Sequence, residues 1–358
     1  LGRGLPGRPF YRMETDMINR LVWMETDNTY PYRNLAMEEY MTLHVPQGTC
    51  ILYLWQNRHT VVIGKNQNCW RECRVNFLEQ ENGYLVRRLS GGGAVFHDLG
   101  NLNFTFIVGA GDYDVSRQLD VILEAVRSLG IHAEKTGRND ITVDGRKFSG
   151  NAFYRTGDGC YHHGTILIRA DKENMSRYLN VSKEKLASKG VTSVKSRVAN
   201  LCEFKPDITL EEVKSALVEA FSKVYGQPAV RMEEGELPQP DIDARTEKFA
   251  SWQWKYGRKI PFEYEMEKRF PWGNIQIQFH VDEGMIQDVN VFSDAMDQEM
   301  IGMLAEQLKG CAYAEEDICR AVKAVGTDAF QAGEYTGADE PQSCRIKEDI
   351  MTLVRESL

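Results

Sequence analysis

Residues 84–96 read YLVRRLSGGGAVF. Strand-forming residues stand on either side of three consecutive glycines, Gly91, Gly92 and Gly93. Glycine inside a strand costs backbone entropy and removes packing. A chain with this stretch must therefore fold so that a β-sheet tolerates bare main chain at one place. Close approach of another group is the physical reason for such a gap, and the expected group is a ligand. Arg87 and Arg88 precede the glycines, and His97 follows them. Bare amides beside a guanidinium suit an oxyanion such as phosphate. Alternation along a strand points only one of the two arginines at the pocket, and Arg88 is the expected one. His97 is expected to pack structurally.

The familiar phosphate loops are absent: there is no G-x-x-x-x-G-K-[ST], and no strand–G-x-G-x-x-G–helix unit with an acidic follower. Three further clusters accompany the glycines. GRNDITVDGRKFSGNAFYR (137–155) places Asp140 before a strand, a tight turn at Asp144–Gly145, and Lys147 on the returning strand. A lysine there can hold a carboxylate and stabilise charge as that carboxylate attacks phosphorus. CYHHGTILI (160–168) carries His162 and His163, which alternation sends to opposite faces, so shared metal ligation is the weaker reading. One is expected inside and the other exposed. KGVTSVKSRVANL (189–201) is basic and reads as a flap over an anionic ligand.

Around these clusters the pattern is mixed. LVWME, ILYLWQN, TVVIGKN and LNFTFIVG read as strands. NLAMEEYMTLHV (34–45) reads as a helix capped by Asn34, with Glu38 and Glu39 in its first turns. Residues 113–130 put Leu119, Ile122, Leu123, Val126 and Leu129 on one helical face. Residues 210–226 form a second amphipathic helix behind a Thr209/Glu212 capping box. EEGELPQPDIDART (233–246) is polar and Pro-containing, as connections are. NIQIQFHVDEGMIQDVNVF (274–292) is a hairpin pattern turning at Asp282–Gly284, and the tail from about 295 is helical. The expected division is a disordered extension over 1–19, a large α+β domain over 20–245, and a small α/β domain over 246–358.

Charge and cysteine usage narrow the classes. The chain has 358 residues, 42% hydrophobic and 27% charged, with net charge −9, which disfavours a nucleic-acid binder. Its eight cysteines form no C-x-x-C pair and read as reduced thiols of a cytoplasmic protein. No apolar run reaches the ~20 residues of a membrane span.

Together and in this order, RRLSGGGAVFHDLGNLNFTF (87–106), GRNDITVDGRKFSGNAFY (137–154), HHGTILI (162–168) and KGVTSVKSRVANL (189–201) resemble the lipoate–protein ligase family. PYRNLAMEEY (31–40), TVVIGKNQNCW (60–70) and SWQWKYGR (251–258) extend the resemblance over nearly the whole chain from about residue 20. It implies a large mixed-sheet catalytic domain of the biotin/lipoate ligase type with a small accessory C-terminal domain. It implies that lipoate and ATP form an acyl-adenylate, and that the lipoyl group then passes to a lysine on an acceptor domain. The acceptors would be E2 subunits of 2-oxoacid dehydrogenases or the glycine cleavage H protein. By the same resemblance Ser90, Gly91 and Gly92 line the lipoate pocket, with His163 and Thr165 along the acyl tunnel. Gly93, Ala94, Val95 and Phe96 contact the nucleotide through backbone. Arg88 holds phosphate, Lys147 binds the lipoate carboxylate and then the acyl-phosphate, Asp140 is a carboxylate beside magnesium, and residues 183–198 form the flap.

Two rivals share the superfamily. Octanoyl- or lipoyl-transferases carry the acyl group on a cysteine thiolate; the candidates here are Cys160 and Cys202, and KGVTSVKSRV holds none where those enzymes place theirs. Biotin ligases use a different glycine signature. A non-catalytic lipoate binder would not need the nucleotide half that Arg88, Asp140 and Lys147 represent.

Overall fold

The computed structural model describes residues 18–136, 140–180, 198–257, 259–326 and 342–358. In chain order the larger part holds β1 (Arg20–Glu25), α1 (Pro31–His44), β2 (Thr49–Trp55), β3 (Thr60–Ile63), α2 (Cys69–Glu72), α3 (Val75–Gln80), β4 (Tyr84–Arg87), β5 (Val95–His97), β6 (Asn101–Gly109), α4 (Val115–Ser128), β7 (Glu134–Thr136), β8 (Asp140–Val143), β9 (Arg146–Arg155), β10 (Gly159–Leu167), α5 (Lys172–Tyr178), α6 (Leu210–Tyr225), β11 (Ala229–Arg231), α7 (Gln239–Ala250) and α8 (Trp252–Tyr256). The smaller part holds β12 (Tyr264–Phe270), β13 (Gly273–Asp282), β14 (Met285–Ser293), α9 (Gln298–Leu308), α10 (Glu315–Ala324) and α11 (Gln342–Ser357).

Eight strands form a mixed sheet in the order β11-β1-β2-β6-β10-β9-β8-β7. β1 runs parallel to β2 and β11, whereas β6 is antiparallel to β2 and β10. A second sheet, β4-β3-β5, carries the glycine run between its outer strands. The fold is thus α+β, as the sequence pattern implies.

Period-2 alternation sorts the large sheet into two unlike faces. On β6, Leu102, Phe104, Phe106 and Val108 join β10's Cys160 and Ile166 beneath α4 and α6 in the main core. The opposite face of the same two strands carries Asn101, Asn103, Thr105, His163 and Thr165, with Asn103 opposite Thr165 and Thr105 opposite His163. All but Thr165 of these are buried, although an apolar core would be the cheaper filling. Buried polar groups need partners, and the second sheet, the glycine loop and α1 meet this face.

Several local expectations hold for physical reasons. The Thr209/Glu212 capping box is formed in both directions, with Glu212 N–H donating to Thr209 Oγ1 at 3.2 Å and Thr209 N–H to Glu212 Oε2 at 2.8 Å. β13 and β14 pair as the expected hairpin, with Glu283 and Gly284 at positive φ in the turn. Other expectations fail. Asn34 does not cap α1: the helix starts at Pro31, a residue suited to the first turn because its missing N–H is not needed there. Asn34 instead sits inside, its amide donating to the Asn28 and Gln56 carbonyls and to Asn57 Oδ1. The polar stretch 233–246 is not an open connection. Most of it is a short 3-10 turn (Glu234–Glu236) and α7, which buries Ile242 and Phe249 against α1, so a division at 245 falls inside a helix.

The smaller part packs β12–β14 on α9–α11 around Ile275, Ile277, Phe279, Leu304 and Val354. Its polar sheet face meets the larger part. Arg71 of α2 pairs with Glu265 at 3.0 Å and with Glu267, and Asn66 Nδ2 donates to the Gln298 carbonyl at 2.7 Å. No helix among the described residues is long and apolar enough to cross a membrane.

Candidate active site

The glycine run is explained by crowding, but the approaching group is main chain. A Cβ on Gly91 would stand 2.4 Å from the Ala295 carbonyl oxygen and 2.6 Å from that of Met296. The Gly92 N–H donates to the same Ala295 oxygen at 3.1 Å. Gly92 has φ +87°, which a side chain resists, and a Cβ there would also press on Arg88 Nη2 at 3.1 Å. Gly64, at the end of β3, has Gly92 O 2.2 Å from the place its Cβ would take. The loops 64–68 and 90–93 and the segment 293–298 therefore meet backbone to backbone.

Arg88 faces the glycine loop, yet the residue is only 5% exposed and its guanidinium is already occupied. It donates to Ser90 Oγ at 2.9 Å, to Gly91 O at 2.7 Å and to Gly93 O at 2.9 Å. Burial, away from any carboxylate in contact, draws its pKa down to about 10. Arg88 shapes the loop in this structure, and binding phosphate would require it to release those carbonyls. Arg87 is spent likewise, on the carbonyls of Gly64, Lys65, Gln67, Trp254 and Lys255.

Ser90 Oγ lies 2.8 Å from His163 Nε2, and His163 Nδ1 lies 2.9 Å from Glu38 Oε1. Thr105 Oγ1 donates to the same Glu38 oxygen at 2.7 Å and accepts from Trp55 Nε1 at 3.0 Å. His163 is therefore buried rather than exposed. His162 is buried too, on the other face, between Phe104, Phe106 and Phe153, with Gln118 and Asn151 as polar partners. The expectation of one exposed histidine fails because both faces of β10 are covered. Burial holds the His162 pKa at about 3.

Thr165 follows on the polar face and accepts the Gly150 N–H at 3.2 Å. The Lys147 side chain lies over Gly150, its Nζ 2.6 Å from where a Cβ of Gly150 would stand. Lys147 Nζ pairs with Asp140 Oδ1 at 2.5 Å. Ser90, His163, Thr165, Gly150, Lys147 and Asp140 thus form one connected seam. Of the nucleotide-side residues, Val95 and Phe96 lie in β5, and the Phe96 ring is core, stacked on Tyr178 at 5.4 Å; only its backbone is available to a ligand. Gly93 and Ala94 complete the loop between Gly92 and β5. The basic stretch 183–198 lies outside the described residues except Val198, which bridges to Lys147.

Buried polar atoms with no hydrogen-bond partner among the described residues include His97 Nε2, Asn101 Oδ1 and Asn103 Nδ2. For His97 the proton can be placed. Asn57 Oδ1 accepts from Asn34, so the Asn57 amide nitrogen faces His97 Nδ1 at 3.3 Å. Nδ1 accepts, and Nε2 carries the hydrogen. Burial keeps this imidazole neutral, with its pKa lowered to about 3. Unpartnered buried groups are costly, and a polar ligand would satisfy them. Sequence reasoning passed over Glu38, Trp55, Asn103 and Thr105. The signal available was polar residues at every second place of an otherwise apolar strand, N-L-N-F-T-F.

As to cysteines, Cys160 is fully buried and burial raises its thiol pKa to about 11, the opposite of an activated nucleophile. Cys202 is half-buried at the turn Leu201–Glu203.

Comparison with known proteins identifies the fold and the family. Residues 30–222 match the lipoyl protein ligase A/B catalytic domain, and residues 259–337 match the bacterial lipoate protein ligase C-terminus. The structure of P. falciparum LipL1 in complex with lipoate is similar over 93% of this chain and 99% of that one, at 28% identity and TM-score 0.78. The bipartite lipoate protein ligase of Thermoplasma acidophilum, analysed with its E2 lipoyl domain, is 26% identical over 68% of this chain and 99% of that one, TM-score 0.58. A lipoate-protein ligase A bound with ATP shares the fold at 24% identity, TM-score 0.57, over 67% of this chain and 99% of that one.

Proposed function

Because this chain belongs to the lipoyl protein ligase family and is a ligase, we propose that it activates lipoate with ATP and transfers the lipoyl group to a lysine of an acceptor domain. The observation that carries this reading is the seam from Ser90 to Lys147, in which a lysine stands over a bare glycine at the end of a buried polar face.

In the first step a lipoate carboxylate oxygen attacks the α-phosphorus of ATP, the bond from that phosphorus to its bridging oxygen breaks, and pyrophosphate leaves. Lys147 holds the carboxylate and then the acyl-phosphate, moving off Asp140 to do so. Ser90, Gly91, Gly92, His163 and Thr165 border the acyl chain. Gly93 to Phe96 present backbone to the nucleotide, and Arg88 keeps that loop in shape. In the second step the acceptor amine attacks the acyl carbonyl and AMP departs; the amine proton goes to water or phosphate, so no protein base is required.

Magnesium would travel with the nucleotide. Among the described residues no three His, Cys, Asp or Glu side chains converge to hold an ion, and Asp140 offers one carboxylate already paired with Lys147. Such an ion would be held chiefly by phosphates and water. Acceptors of the class of E2 lipoyl domains or the glycine cleavage H protein fit this chemistry, and the cytoplasm supplies the ATP. The transferase reading is disfavoured by the buried, raised thiol of Cys160.

The test is the intact mass of a lipoyl acceptor domain after incubation with this protein, lipoate, magnesium and ATP. A lipoyl gain that needs ATP and is lost in Lys147→Ala supports the ligase. A gain from an octanoyl carrier without ATP would refute it in favour of transfer through cysteine.

A further inference from the structure

Stretches far apart in the chain bring aromatic rings together at the surface. Trp70 of α2 is 54% exposed and Trp252 of α8 is 62% exposed. The Tyr256 ring joins them, stacked on Trp70 at 5.2 Å between centroids and set against Trp252 at 5.2 Å. Lys255 Nζ lies 5.1 Å from the Tyr256 ring and 5.6 Å from the Tyr32 ring. Beyond it Tyr32 meets Tyr30 and Tyr84 edge to face, at 5.1 and 6.0 Å, and the Arg58 guanidinium covers Tyr84 at 5.3 Å. Single exposed rings need no explanation, but a run of contacting rings does. Tyrosine, tryptophan and arginine are the residues that carry most of the binding energy at protein interfaces.

The charge of this run opposes that of the whole chain. Lys255 and Arg58 have no ion pair among the described residues, in a protein of net charge −9. The nearby carboxylate of Glu79 is taken by the Tyr256 hydroxyl. Unpaired cations interleaved with bare rings fit a partner that offers carboxylates and apolar side chains together, which is an acidic protein face.

The run is also tied to the acyl site. Trp254 Nε1 donates to Arg87 O at 2.8 Å, and Arg87 donates back to the Trp254 and Lys255 carbonyls at 2.9 and 2.7 Å. Arg87 ends β4 and stands on the order of 10 Å along the chain from Ser90. A folded domain of about 80 residues is roughly 25–30 Å across, wide enough to lie on the rings and still set a lysine beside the glycine loop. We propose that Trp70, Tyr256 and Trp252, with Lys255 and Arg58 beside them, form the surface on which the acceptor domain docks through an acidic face. The identity of the partner rests on the ligase reading.

Calorimetric binding of an unlipoylated E2 lipoyl domain to the full chain tests it, with lipoyl transfer measured alongside. The double variant Trp70→Ala/Trp252→Ala, with wild-type circular dichroism, should bind the domain about tenfold more weakly or worse. Its KM for the domain should rise by a like factor, while ATP–pyrophosphate exchange with lipoate, which involves no acceptor, keeps its wild-type rate. Lys255→Glu should weaken binding more at low salt than at high. Wild-type affinity in the double variant, or a wild-type chain that binds no acceptor domain, would overturn the surface. A wild-type dimer that the double variant loses would overturn it in favour of a second copy of this chain. Absence of exchange in the wild-type protein would count against the ligase reading, and the binding comparison would still judge the surface.

Discussion

Ser90 Oγ accepts a hydrogen bond from Arg88 Nε at 2.9 Å and stands 2.8 Å from His163 Nε2. Arginine can only donate, so one serine lone pair is filled, and with His163 Nδ1–H turned to Glu38 the remaining His163 Nε2 can accept the serine proton. At the other end the Trp55 indole can only donate, so Thr105 accepts from it and donates to Glu38. Glu38 Oε1 then takes the His163 Nδ1–H. The result is one polarised buried chain from Trp55 to Arg88. It joins a buried carboxylate to a buried guanidinium and ties the glycine loop to the large sheet.

Removing the carboxylate from that chain should be felt as stability. Glu38→Ala strands the Thr105 hydroxyl and the His163 Nδ1–H in a dry interior, each at a cost of about 1–3 kcal/mol. We expect a loss of roughly 2–5 kcal/mol in urea unfolding, with Glu38→Gln milder because its carbonyl oxygen still accepts. A Glu38→Ala protein as stable as wild type would mean that the chain carries no structural load.

The loop contact with the smaller part gives a sharper comparison between glycines. Gly91→Ala places a Cβ 2.4 Å from the Ala295 carbonyl, a backbone atom that cannot rotate away. The segment 293–298 must shift, which should cost about 1–3 kcal/mol and speed hydrogen exchange at the Gly92 amide. Gly111→Ala, with nothing within 4 Å, is the matched control and should leave exchange at Gly92 as it is.

What the sequence disclosed was local. Gly91 and Gly92 announced a close backbone approach, and alternation placed His162 and His163 on opposite faces. Neither could say that the approaching strand end comes from Ala295, some two hundred positions on, or that α4 and α6 cover one histidine while the glycine loop covers the other. Glu38 and Glu39 are neighbours with equal helical propensity. Only the tertiary fold sends the first inward to Thr105 and the second to Arg245 and Lys248. Arg88 faces the glycine loop, but its carbonyl partners depend on the loop's φ and ψ angles, which composition does not encode.

Lys147 should be needed for chemistry more than for folding. Its ammonium is partly exposed and paired with Asp140, so a stability change in Lys147→Met should stay within about 1 kcal/mol. Adenylate formation, read as ATP–pyrophosphate exchange with lipoate, should fall by about 10²–10³. Asp140→Asn keeps the lysine but loosens its resting place and should fall less. Exchange at the wild-type rate in Lys147→Met would remove this residue from the reaction.

Acid should weaken the fold through its neutral buried histidines. His162 and His97 have pKa values lowered to about 3 by burial, against about 6.5 unfolded. Between these values the unfolded chain binds the proton and the folded one does not. Their contribution is therefore complete above pH 6.5 and is lost as pH falls toward 3, at about 1.4 kcal/mol per pH unit for each group. Urea unfolding from pH 7 down to pH 4.5 should show this slope. His162→Gln, whatever its absolute stability, should lessen the slope by about one proton equivalent, because the titrating group is gone. An unchanged slope in that variant would show that His162 is not the buried neutral base described here.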